Sequence, residues 1–217
     1  MAAPAVLAVL FIGNSLSAAN DLPAVIEAMG RASGPPIRCT IVARPNFSLE
    51  DHWNDPDGSA RAAIARGGWS HVILQQGPSA LPASRVLLHD YVRRWSGEIR
   101  RHGAKPALLA VWPAASRRGD FDRVSESYRS AAALVDADRY LVGDAWQAAW
   151  ARDSELPLYG PDGFHPSRLG SYLAALVVFH GLIGRLPAAV HVPGATPRQV
   201  EICRAAALDV LAARTVR

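Results

Sequence analysis

A serine just after a glycine, and an acid three residues ahead of a histidine, are residue types on which nucleophilic acyl transfer can run. The chain has both. The segment Phe11-Ile12-Gly13-Asn14-Ser15-Leu16-Ser17 closes an apolar stretch, and its glycine permits a tight turn that would present the Ser15 hydroxyl. The Ser15 N–H would face the same space and could stabilise an oxyanion. Taken singly, the segment also reads as an ordinary Gly-Asn-Ser turn. The other segment is Asp162-Gly163-Phe164-His165-Pro166. In a compact turn, the Asp162 carboxylate could accept from His165 Nδ1–H and leave Nε2 free to take the serine proton. Pro166 biases His165 toward an extended backbone. Alone, this segment reads equally as a turn and a helix entry. The two together, in the order Ser…Asp…His, point to a serine hydrolase with Ser15, Asp162 and His165 as its triad.

Both segments must then reach one rim, which a parallel sheet supplies. Residues 6–12 form a continuous apolar run that suits a central parallel strand. Residues 37–43, 71–74, 106–111 and 140–142 read as four further strands. Helical patterns cover 22–32 (capped by Asn20 or Asp21), 58–66, 83–101, 121–135 (capped by Asp120), 144–152, 167–183 and 197–213 (capped by Thr196). Residues 44–55 and 154–164 read as loops. Alternating strands and helices predict an α/β fold: a three-layer α/β/α sandwich around a central parallel five-stranded sheet, with 1–217 as one domain. Ligands of such sheets bind at the carboxyl ends of the strands, near a switch in strand order. That rule brings residues 13–16, 44–52, 75–79 and 112–116 to one rim.

The composition excludes several other classes. The chain has 217 residues, 50% hydrophobic and 19% charged, with a net charge of +4. This is the make-up of a globular domain rather than a disordered chain. No apolar run approaches the roughly 20 residues that cross a bilayer, so no membrane association is expected. The apolar start, residues 2–12, lacks a basic n-region and a cleavage site, so the chain reads as cytoplasmic. The arginine pairs at 93–94, 100–101 and 117–118 lack the interleaved aromatics of a nucleic-acid surface. Cys39 and Cys203 lie far apart and read as small buried hydrophobes in a reducing compartment. No metal-ligand spacing and no Gly-rich phosphate fingerprint occurs, so neither a metal nor another cofactor is expected.

Gly13-Asn14-Ser15 resembles the first sequence block of the SGNH (GDSL-like) hydrolases, and Asp162-Gly163-Phe164-His165-Pro166 resembles their last, Asp-x-x-His-Pro. The resemblance implies the flavodoxin-like fold of that family. It also implies ester hydrolysis through an acyl-enzyme without metal, with Ser15 as nucleophile, His165 as base and then acid, and Asp162 as its orienter. Three departures stand out. Asn14 occupies the family's usual Asp position. The second block, which usually offers a glycine N–H to the oxyanion hole, reads Arg44-Pro45-Asn46-Phe47-Ser48, so Asn46 or Phe47 would have to donate. Pro45 has no N–H. The third block reads Gln75-Gln76-Gly77-Pro78-Ser79 where an Asn is usual, so a Gln75 or Gln76 amide would replace it.

The expected oxyanion hole is thus Ser15, Asn46, Gln75 and Gln76. The variant blocks resemble a bacterial subgroup linked to carbohydrate ester or acetyl groups. The implied substrate is a small-molecule ester with a short acyl group, with Asn14, His52, Trp53 and Trp112 at the substrate. Packing, or a backbone hydrogen bond for His52, is an equally open role for these side chains. A lipid, aryl or thioester hydrolase with the same triad, or a catalytically silent binding domain, are the alternatives.

Overall fold

A computed structural model describes residues 6–188 and 190–212. Residues 2–5 of the apolar start and Ala213, the expected end of the last helix, lie outside the described residues. Five parallel strands form one sheet: β1 (Leu7–Gly13), β2 (Ile37–Ala43), β3 (His71–Leu74), β4 (Lys105–Ala110) and β5 (Asp138–Leu141), in the order β2-β1-β3-β4-β5. The chain leaves β1 for one neighbour and then crosses to the other. The strand-order switch therefore lies at the carboxyl end of β1, where Ser15 stands. In register, Ile12 lies opposite both Val42 and Leu74.

The strands are apolar because both faces are covered. Val9, Leu10, Phe11 and Ile12 of β1, and Val72, Ile73 and Leu74 of β3, are buried. The helices are α1 (Ser15–Ala18), α2 (Leu22–Ser33), α3 (Leu49–Asn54), α4 (Ser59–Ala65), α5 (Pro82–Arg101), α6 (Phe121–Leu134), α7 (Val142–Trp150), α8 (Arg168–Ile183) and α9 (Pro197–Ala212). α2 packs on α8 and α8 on α9, while α5 packs on α3 and α6. α8 has no polar stripe: residues 169–179 are all buried, as befits a helix enclosed between the sheet and its neighbours. Among the described residues, no helix is long and apolar enough to cross a membrane.

The expected α/β/α sandwich is the architecture found, with element ends shifted by a residue or two. One expectation fails: residues 44–55 are not all loop, because α3 occupies Leu49–Asn54. Its start is written in the sequence. The Ser48 side chain accepts from Asp51 N–H, and the Asp51 carboxylate accepts from Ser48 N–H, a reciprocal capping box. Asp120 likewise does not cap α6 through its side chain. Its carboxylate is held by Arg117 and Arg123 instead. Cys203 is buried and Cys39 half-buried; both thiols are free, and burial pushes each up to about 12.

Candidate active site

Ser15 opens α1, directly after β1. A helix this short still leaves its first N–H groups without partners inside the helix, and the Ser15 N–H is one of them. The turn into it is held by amides. Asn14 caps α1 by accepting from Leu16 N–H (3.1 Å). Its Nδ2 donates to the Phe47 carbonyl (3.0 Å). The Gln75 side chain accepts from Asn14 N–H (2.9 Å) and from the Ser17 hydroxyl (2.7 Å), and donates to Asn14 Oδ1 (3.0 Å) and to the Gln76 carbonyl (2.6 Å). Gly13 leaves the room for this: a Cβ there would stand 2.5 Å from both Gln75 Oε1 and Ser17 Oγ.

The base arrives on a compact turn between β5's side of the sheet and α8. Asp162 Oδ1 accepts from Phe164 N–H (3.0 Å) and His165 N–H (2.9 Å). Oδ2 accepts from His165 Nδ1 (2.5 Å), and His165 Nε2 lies 2.9 Å from Ser15 Oγ. Gly163 supplies the left-handed backbone (φ +66°) that the turn demands. The hydrogen bond from His165, then that from the Phe164 N–H, pulls the Asp162 carboxyl down to about 2. Asp162 is therefore ionised at neutral pH, and it fixes the proton on Nδ1. That tautomer leaves the Nε2 lone pair directed at the serine hydroxyl. The two side chains remain partly open, 51% and 40% exposed.

The backbone of this turn is pinned at four successive carbonyls. Gly163 C=O accepts from Ala115 N–H (2.7 Å), Phe164 C=O from the Trp112 indole (2.9 Å), His165 C=O from Gly160 N–H (2.7 Å), and Pro166 C=O from Asn20 Nδ2 (2.9 Å).

The Arg44–Phe47 segment makes a reverse turn, with Phe47 N–H donating to Arg44 C=O (3.2 Å). Pro45 precedes Asn46, which has φ +63°, the type II arrangement; asparagine tolerates it better than most residues that carry a Cβ. The Asn46 N–H takes no part in the turn's own bond.

Ser15, Asn14 and Asn46 line a cleft of about 450 Å³. Its other walls are largely apolar: Phe47, Pro78, Leu81, Leu87, Pro113 and Phe164. Sequence reasoning did not single out these side chains. They come from separate loops and, for Leu87, from α5, and only the fold assembles them.

Several expected roles do not match this geometry. The Gln75 and Gln76 amides are not free oxyanion donors. Both are buried, and both hydrogens of each Nε2 are engaged: Gln75 as described, Gln76 with Ser79 Oγ (3.0 Å) and Ser84 C=O (3.2 Å). Phe47 N–H is engaged in its turn. His52 does not face substrate: it is fully buried, and its Nε2 donates to Gly13 C=O (2.7 Å), which fixes the Nε2–H tautomer. Burial pushes its pKa down from the ordinary value. Trp53 packs edge-on against Trp95, beneath the guanidinium of Arg61, and Trp112 stacks on Trp146. Neither tryptophan lines the cleft. Asn14 does line it, although its oxygen and one amide hydrogen are already engaged. Among the described residues, no group of three or more His, Cys, Asp or Glu side chains could hold a metal ion.

No family model and no curated protein matches the chain. Solved structures do. A protein of Slackia heliotrinireducens described as a candidate SGNH hydrolase is 28% identical, with a TM-score of 0.71 over 82% of this chain and 100% of that one. A DUF4886 family protein from Bacteroides uniformis is 19% identical, with a TM-score of 0.74 over 96% of this chain and 95% of that one. A catalytic mutant of Axe2, an acetylxylan esterase from Geobacillus stearothermophilus, is 12% identical, with a TM-score of 0.62 over 81% and 92%. The last two speak to the fold alone. The sheet order, the flanking helices and the 28%-identical neighbour support placing the chain among the hydrolases of the SGNH-like superfamily.

Proposed function

We propose that the protein is a serine esterase that hydrolyses a carboxylic ester through an acyl-enzyme on Ser15. The observation that carries this reading is the unbroken line of contacts from Ser15 Oγ to His165 Nε2 (2.9 Å) and from His165 Nδ1 to Asp162 Oδ2 (2.5 Å). His165 takes the Ser15 proton as Oγ attacks the ester carbonyl. The tetrahedral oxyanion is met by the Ser15 N–H and the Asn46 N–H. His165 then protonates the leaving alcohol, and water, deprotonated by the same imidazole, releases the acid. Asp162 stays ionised throughout and stabilises the imidazolium.

A short acyl group, acetyl above all and carried on a sugar, is the substrate the sequence blocks suggest, and one neighbour of the same fold is an acetylxylan esterase. The cleft favours a second reading. Its volume and apolar walls suit a longer or aromatic acyl group, which would gain by leaving water.

Hydrolysis of p-nitrophenyl esters of increasing acyl length, and of acetylated sugars, tests both readings, with Ser15→Ala beside the wild type. Serine-dependent turnover that peaks at acetate supports the first, and a peak at a longer chain the second. A folded protein that neither turns over esters nor reacts with a fluorophosphonate at Ser15 is a silent binding domain, and the esterase reading is then wrong.

A further inference from the structure

The residue at the end of β3, where an oxyanion donor was expected, has an amide with no hydrogen to spare. Gln75 is 1% exposed, and four hydrogen bonds saturate its side chain. Two of these form a paired contact with Asn14: the Gln75 oxygen takes the Asn14 backbone N–H, and the Gln75 nitrogen gives to Asn14 Oδ1. A third ties down Ser17. The residues on both sides of Ser15 are thus clamped by one buried amide. Asn14 passes the restraint on, because its Nδ2 reaches Phe47 C=O, at the end of the turn that carries Asn46. An aspartate at 14 could cap α1 equally well, but it would set an oxygen against that carbonyl.

We infer that the Gln75–Asn14 amide pair is a positioning unit: it holds the Ser15 hydroxyl and fixes the Ser15 and Asn46 N–H groups relative to each other, while giving no hydrogen bond to the oxyanion itself. The inference rests on the esterase reading above. On this view the oxyanion site has two backbone donors, and the asparagine at 14 and the glutamine at 75 function as a pair. A misplacement of about 1 Å at a reacting centre costs on the order of 100-fold in rate. Loosening the pair should therefore act on the chemical step.

The test is a double-mutant cycle on p-nitrophenyl acetate hydrolysis with Gln75→Met, Asn14→Ala, which removes the oxygen that Gln75 Nε2 donates to, and the pair. Melting temperatures are recorded so that each variant is assayed while folded. Each single change should lower kcat about 10- to 100-fold, with KM within about twofold. The double variant should be hardly worse than the poorer single one, because both changes break the same unit. Losses that multiply would mean that Gln75 acts on the oxyanion directly, and unchanged kcat values would mean that the pair does not position the nucleophile. Either result overturns the inference. If Gln75→Met does not fold, Gln75→Glu, which keeps an oxygen for the Asn14 N–H but loses the hydrogens given to Asn14 Oδ1 and Gln76 C=O, replaces it in the cycle with the same criteria. The rate of fluorophosphonate labelling at Ser15 separates the two levels of failure. No labelling of the wild type defeats the esterase reading, whereas wild-type labelling rates in the variants defeat only the positioning role.

Discussion

The turn that carries Ser15 is held from inside by side chains, whereas the turn that carries His165 is held from outside through its backbone. Around Ser15, the buried amides of Asn14 and Gln75 and the hydroxyl of Ser17 bond to one another under the sheet rim. Around His165, four successive carbonyls are taken, two by the Trp112–Ala115 segment, one by Asn20 and one by Gly160 at the start of the same turn, while the Asp162 and His165 side chains stay half open. The difference follows from what each group must do. A nucleophile needs one fixed oxygen at a strand end, where the interior is close and can clamp it. A base must exchange protons with substrate and water, so its ring has to remain accessible, and its rigidity comes from the peptide groups beneath it. The comparison predicts different consequences for damage on the two sides.

The largest effect is expected on the exposed side, from Asp162→Asn. The Phe164 and His165 N–H groups both demand an oxygen acceptor at the Oδ1 position. The new amide must therefore turn its NH₂ toward His165 Nδ1, which becomes an acceptor. The ring proton moves to Nε2, and the base can no longer take the serine proton. kcat should fall by on the order of 10³–10⁴-fold, with KM little changed and the fold intact. A change confined to KM would make Asp162 a binding residue instead.

On the buried side, Gly13→Ala should cost both stability and turnover. Its Cβ would meet Gln75 Oε1 and Ser17 Oγ at 2.5 Å, and neither can retreat without breaking its bonds to the nucleophile turn. Overpacking of this kind costs about 1–3 kcal/mol. At about 2–4 °C per kcal/mol for a chain of this size, thermal melting should show it plainly. kcat should fall with it. A stable, fully active Gly13→Ala protein would show that the amide cluster can shift without consequence, and the contrast between the two sides would collapse.

How much of this was legible in the sequence differs between the two sides as well. Ser15, Asp162 and His165 could be read because each is close in sequence to the turn that shapes it: Gly13 before the serine, and Gly163 and Pro166 around the histidine. The five strands could be read from their apolar runs, which reflect burial on both faces. The clamps could not. The four donors that pin residues 163–166 come from Ala115, Trp112, Gly160 and Asn20, and most of them are brought close only by the fold. The sequence leaves Trp112 open between substrate and packing; its ring packs on Trp146 and its N–H anchors Phe164. Gln75 and Gln76 read from the sequence as oxyanion donors, because a sequence does not tell how many of their amide hydrogens are already engaged. The helix at Leu49–Asn54 is announced by Ser48 and Asp51, which spell its capping box within a segment that otherwise reads as a loop.

The smallest expected effect tests the two sides by pH. His52 underlies the nucleophile turn through its bond to Gly13 C=O, and burial pushes its pKa below the ordinary 6.5. As pH falls through 6.5, the unfolded chain gains a proton at this site before the native one does, so stability is lost toward acid. His71 and His89 are shifted in the same direction by burial. A comparison with His52→Gln cancels their share, and glutamine retains an N–H that can serve the same carbonyl. Between about pH 8 and pH 5 the wild-type melting temperature should fall more steeply than that of the variant. Asp162 also loses its contribution toward acid, but in a lower window. Its pKa is depressed to about 2 from an ordinary 3.8, so its contribution is complete above 3.8 and is lost only as pH falls through about 2. The share of the acid sensitivity that His52→Gln removes therefore belongs to the interior that holds the serine, while Asp162 in the exposed turn stays ionised. Parallel melting curves for the two proteins would mean that His52 titrates alike in the folded and unfolded chains, and that its buried bond to Gly13 does not govern how the nucleophile side responds to acid.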